Sequence, residues 1–131
     1  MIKIIPPARA VEWARAKDEA WKKRYGAGLF DAKDGAWHGY LGELVVAAWA
    51  RSRGCKAKIN GGFDAKPDVE INGRGFGVKT VSLKRELVHR IYAIVPDEQI
   101  GKEWDFWLFL AVVKEEPHET YILGTTTPAF F

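Results

Sequence analysis

The chain has 131 residues, enough for one domain with a single buried core. Hydrophobic residues make up 47% and charged residues 28%, a balance that excludes a disordered chain. The net charge of +3, with an isoelectric point near 9.0, suits a polyanionic partner without requiring one. No apolar run reaches the roughly 18 residues of a membrane span. The N-terminal stretch "MIKIIPPARAVEWARAKDEAWKKR" lacks the apolar region of a signal peptide. The lone Cys55 has no partner for an internal disulfide, and cages of the CxxC kind are absent. The expected setting is therefore reducing and cytoplasmic, with no membrane partner.

Residues 8–25 carry an amphipathic helical pattern, with Pro6-Pro7 ahead of it and Gly26 to Gly28 at its end. "FDAKDGAW" reads as a loop, with Asp34 as an N-cap for the next element. Residues 36–52 form the strongest helix, because Trp37, Tyr40, Leu41, Leu44, Val45 and Ala48 recur at helical spacing before Gly54. A short strand follows at 55–60, then the loop "GGFDAKP", then a hairpin of "DVEI" (68–71) and "FGVKTVSL" (76–83). Residues 87–95, rich in β-branched and aromatic side chains, predict a strand, and "PDEQIGKE" a loop or one helical turn. The nearly all-apolar segment 104–113 is expected to be a strand buried on both faces, and 119–126 a last strand. Helices followed mostly by strands predict an α+β fold, a mixed β-sheet covered by the 36–52 helix. Residues 1–131 form one domain in this reading, with an N-terminal helical extension (1–30) and a core (36–126).

Two sites carry candidate chemistry. In the hairpin, a four-residue loop or a two-residue loop at Gly73-Arg74 sets Asp68 directly opposite Lys79. An Asn72-Gly73 turn sets it opposite Gly77, with Lys79 one diagonal step away. Either register puts Asp68, Glu70, Gly77 and Lys79 on one face, and Val69, Ile71, Phe76 and Val78 on the other. On the helix, Glu43 is the only formally charged side chain in "AWHGYLGELVVAAWA". It lies on a flank of small residues, Gly39, Gly42, Val46, Ala47 and Ala50, where a second element can approach. A carboxylate buried there needs a cation or several donors. Two carboxylates can share a hard cation such as Mg²⁺, which keeps several of its waters. A bound water can then attack a phosphodiester, with Lys79 supplying positive charge.

The segments "HGYLGELVVAAWARSRG" and "PDVEINGRGFGVKTVS" together resemble the PD-(D/E)XK nuclease superfamily, whose fold is restriction-endonuclease-like. The likeness covers about residues 36 to 83. It is closest to the branch with a glutamate on the first core helix, as in small Holliday-junction-resolvase-like, phage and prokaryotic endonucleases. The resemblance implies an endonuclease that uses Mg²⁺ or Mn²⁺ to hydrolyse DNA. It casts Glu43, Asp68 and Lys79 as catalytic residues, with Glu43, Asp68 and the Val78 carbonyl holding the metal. Gly77 stands where the motif has its second acid, which removes one ligand. Glu70 or Asp64 is the substitute, and Glu70 has the matching strand face.

Lys56, Lys58, Lys66, Arg74, Lys84, Arg85 and Arg90 bracket the motif and are candidates for phosphate contacts, with His38 near the helix start. Trp13 and Trp21 are candidates for a homodimer surface or for stacking on bases. His89 and His118 have no partner at catalytic spacing. Two other readings compete: a nucleic-acid-binding module with a degenerate, inactive nuclease centre, and a structural protein in which Asp68 and Lys79 are only an ion pair.

Overall fold

The computed structural model describes residues 2–25, 37–60, 67–90 and 106–126. In chain order the elements are β1 (Ile2–Ile4), α1 (Ala8–Tyr25), α2 (Trp37–Ser52), β2 (Ala57–Ile59), β3 (Val69–Ile71), β4 (Arg74–Leu83), a 3₁₀ turn (Arg85–Arg90), β5 (Phe106–Val113) and β6 (Thr120–Thr126). The fold is α+β. Six strands form one mixed sheet in the order β1-β6-β5-β4-β3-β2, with β4 and β5 parallel and the other neighbours antiparallel.

α1 starts where proline geometry predicts, with the Pro7 carbonyl accepting the Ala10 N–H at 2.9 Å. Its Ala10, Val11 and Ala14 are buried against α2. α2 lies across the sheet and buries Leu41, Val45, Val46 and Ala47 against Val69 of β3 and Leu108, Leu110 and Val112 of β5. Gly42 is the point of closest approach. A Cβ there would run into the Thr80 hydroxyl on β4, so only glycine lets the helix settle this near the strand.

The hairpin between β3 and β4 takes the Asn72-Gly73 turn. Both residues have positive φ, 50° and 81°, as a type I′ turn requires. The Asn72 carboxamide oxygen accepts the Lys56 N–H at 2.9 Å, and the Lys56 carbonyl accepts the Asn72 N–H at 2.8 Å, which fastens the turn to the entry of β2. Pairing of Ile71 with Arg74 and Val69 with Phe76 extends to Asp68 opposite Gly77. β4 consequently begins at Arg74, two residues before the expected 76. β5 is buried along both faces, as its apolar run predicts.

Two elements depart from expectation. The strand predicted at 87–95 is, over its described part, a 3₁₀ turn spanning Arg85–Arg90, and residues 91–95 lie outside the described residues. Parallel strands cannot be joined by a tight hairpin, so the chain leaving β4 has to cross over before β5. The turn is anchored by Leu87 N–H to the Lys84 carbonyl (2.9 Å) and Arg85 N–H to the Glu115 carboxylate (3.0 Å), which overrides the local β-propensity. The second departure is β1. Three residues of the expected N-terminal helical extension pair with β6, Ile2 with Ile122, and form one edge of the sheet.

The Gly42–Thr80 contact makes a stability prediction. Gly42→Ala should cost about 1–3 kcal/mol by overpacking, read as a shift in the urea midpoint. Adding Thr80→Ala should recover most of that loss, because the hydroxyl it deletes is buried and makes no hydrogen bond. A double variant no more stable than Gly42→Ala would show that the helix is not limited by this contact.

Candidate active site

Glu43 follows Gly42, so the approach that glycine permits also carries this carboxylate out of water. It is 9% exposed. Its carboxyl is pushed up from 4.5 to about 8, first by burial, then by the negative charge of Asp68, with Lys17 opposing both. Asp68 reaches the same locality from the sheet. It stands one residue before β3 and its Oδ2 accepts the Val78 N–H at 2.8 Å. In an unbroken ladder that amide would bond the Pro67 carbonyl. The Pro67 carbonyl instead accepts the Asn60 carboxamide at 2.8 Å. The β3–β4 ladder therefore ends at Asp68, and the aspartate side chain takes over as acceptor.

Strand alternation separates the other candidates. Val69, Ile71, Phe76 and Val78 pack on the core beneath α2, and Thr80 meets Gly42. Glu70 and Lys79 consequently emerge on the opposite face of the sheet. Glu70 stands across from Lys58 on β2, and Lys79 is half-buried beside Phe109 of β5. The Asp68 carboxylate is thus turned to the Val78 amide and its charge acts on Glu43, apart from Glu70 and Lys79, with which strand alternation alone would have grouped it. Among the described residues no three His, Cys, Asp or Glu side chains cluster to hold a metal ion. Among those residues the ion pairs within 4.0 Å join Lys22 to Asp18 and Glu19 and Arg85 to Glu119, so Asp68 and Lys79 form no such pair with each other.

The expected phosphate contacts divide into exposed and engaged groups. Lys56, Lys58 and Lys84 have exposed side chains. Arg74 is exposed with its guanidinium 5.9 Å from the Phe106 ring centre. Arg85 is committed to the β5–β6 turn, donating to the Glu116 carbonyl at 3.2 Å and pairing with Glu119 at 3.9 Å. His38 is buried with its ring against Trp37 at 3.8 Å, so it packs rather than facing a surface ligand. His118 is buried as well, its Nδ1 3.0 Å from the Val113 carbonyl. Trp13 is 40% exposed and Trp21 half-buried. Asp64, Lys66 and the side chains of His89 and Arg90 lie outside the described residues.

One charged neighbour of Glu43 is absent from the motif reading: Lys17, on α1. The signal for it is the spacing Trp13, Lys17, Trp21, which places a lysine one turn from a tryptophan on either side. Tyr40, one turn before Glu43 on α2, has its phenol held neutral to higher pH by burial and by the charges of Glu43 and Asp18. Comparison of the chain with protein-family models, with curated proteins and with solved structures finds no match in any of the three.

Two carboxylates whose charges act on each other, one buried and one half-buried, suit a hard divalent cation. Without such a cation, one of them is better protonated. A carboxyl with an ordinary value of 4.5 and a folded value of about 8 binds more protons folded than unfolded between those limits. Stability is therefore greatest below the window and falls as pH rises through it. In metal-free buffer the loss should reach up to about 1.4 kcal/mol per pH unit. Glu43→Gln should flatten that profile and exceed wild type at the alkaline end. Parallel profiles for the two proteins in urea titrations would show that Glu43 is not held in this way.

Proposed function

We propose that the protein is a divalent-metal-dependent endonuclease that hydrolyses phosphodiester bonds in DNA, branched or junction DNA included, on a restriction-endonuclease-like core of the PD-(D/E)XK kind. The observation that supports it most is a buried Glu43 on α2 that feels the negative charge of half-buried Asp68, whose carboxylate the Val78 amide fixes at the end of the β3–β4 ladder. Like charges drawn together out of water are costly on their own, and a shared cation reverses the sign of that interaction. The mixed sheet with a flanking helix that carries Glu43 is also the arrangement this reading requires.

In this reading Glu43 and Asp68 hold Mg²⁺ or Mn²⁺. The bound ion supplies Lewis-acid chemistry, favouring hydroxide at neutral pH and offsetting charge on the attacked phosphate. The chain's own groups prepare for it. The Val78 N–H fixes one oxygen of Asp68. A cation held by Glu43 and Asp68 would compete with the Glu43 proton, so its binding would tighten as pH rises. Lys79, on the opposite face of β4, is in this reading the positive charge for the attacked phosphate. Exposed Lys56, Lys58, Arg74 and Lys84 supply phosphate contacts without base information.

A second reading, a nucleic-acid-binding module with an inactive centre, is favoured by the arrest of the cluster at two carboxylates, with Glu70 across the sheet and glycine at 77. Two measurements separate the readings. Mn²⁺ or Mg²⁺ should raise the thermal midpoint of wild type more at pH 8 than at pH 6, by the proton linkage described for Glu43. Asp68→Asn and Glu43→Gln should lose this response. On duplex, single-stranded, flapped and four-way DNA, the same two variants should abolish metal-dependent cleavage. Lys79→Ala should keep the thermal response yet lower turnover by about 10²-fold. Wild type that binds DNA and cuts none of these with either metal establishes the second reading, and cleavage unchanged in Asp68→Asn excludes this mechanism.

A further inference from the structure

We propose that Lys17 of α1 is the cation that meets the DNA phosphate on the α2 side of the site, a role that rests on the endonuclease reading. The ammonium lies 4.9 Å from the Tyr40 ring centre and 5.1 Å from that of Trp13, within the range of cation–π attraction to both. Tyr40 stands one helical turn before Glu43, so the two rings hold the ammonium beside that carboxylate. Glu43 responds to the Lys17 charge. Even so, no ion pair within 4.0 Å joins the two, and Lys17 is in none of the ion pairs among the described residues. Ring faces attract the cation without accepting its N–H donors in ordinary hydrogen bonds, which leaves them for an anionic oxygen. Lys22, the next lysine along α1, is differently placed, since it is bound to buried Asp18 at 3.1 Å.

The sheet itself creates the need for this residue. Lys79 emerges on the face away from α2, whereas Glu43 descends from α2. A phosphate drawn to a cation at the Glu43–Asp68 pair would have Lys79 on the opposite face of β4, and its helix-facing side would be served by Lys17. The two lysines bracket the phosphate from opposite sides of β4. Charge developing on the phosphate is then met from both directions.

The test is fluorescence anisotropy of wild type, Lys17→Met and Lys17→Arg with labelled duplex and four-way DNA in metal-free buffer, over a range of salt. Methionine keeps the length of the stem without the charge. Its plot of log affinity against log salt should be shallower than wild type by about one unit. Arginine should restore the wild-type slope. Lys17→Gln serves as a second neutral variant if methionine lowers the thermal midpoint, because a role confined to packing would move the midpoint and leave the slope. Equal slopes in folded Lys17→Met or Lys17→Gln and wild type, with DNA bound, overturn the proposal and leave the endonuclease reading standing. Wild type that binds but never cuts removes the endonuclease while a shallower slope still places Lys17 at the phosphate. Wild type with no affinity for either DNA overturns both.

Discussion

The close contact of α2 with β4 at Gly42 and Thr80 governs the core, the burial of Glu43 and the geometry of the site. Removing one Cβ brings a 16-residue helix down onto a sheet. The neighbours of that glycine, Leu41, Val45 and Val46, are then excluded from water, and their burial offsets the cost of the approach by hydrophobic transfer. Glu43 is carried down by the same movement. Its desolvation is thus a by-product of core packing, and the core supplies the free energy that holds an unfavourable charge in place. A helix one side-chain radius further out would leave Glu43 hydrated and ordinary.

The second determinant is the Asn72-Gly73 turn. Its two positive φ angles select one register of the two that the hairpin sequence permits. In that register Asp68 arrives opposite Gly77 and turns its carboxylate to the Val78 amide. The aspartate therefore ends the ladder and receives a fixed orientation from it. Further along β4, the amides and side chains from Val78 to Leu83 lie beside β5 alone among the described strands. The candidate site occupies the place where the sheet narrows, with a helix on one face.

α1 and β1 bind the start of the chain into this arrangement. β1 pairs with β6, the last described strand, and α1 then runs back over α2. Its buried stripe of Ala10, Val11 and Ala14 has small side chains, which lets the two helices lie close. Lys17, on the flank of that stripe, is delivered to Tyr40 and Glu43. The electrostatics of the site consequently draw on α1, α2 and the β3–β4 hairpin.

Local pattern determined much of this. The span of α1, the core of α2, the presence of the hairpin and the two-sided burial of β5 all follow from periodicity, proline and glycine placement and turn chemistry, which act over a few residues. The isolation of Glu43 within an apolar helix and the alternation that separates Lys79 from Val78 are legible for the same reason. What tertiary structure alone decided is nonlocal. Which face of the sheet receives α2 sets Glu43 on the side away from Glu70 and Lys79, a relation that no spacing along the chain encodes. The turn at Arg85–Arg90 obeys the parallel crossover over its own β-propensity, and β1 is too short to have a period before β6 pairs with it. Lys17 belongs to the site only because α1 crosses α2, so its proximity to Glu43 arises from helix packing between residues 26 positions apart in sequence.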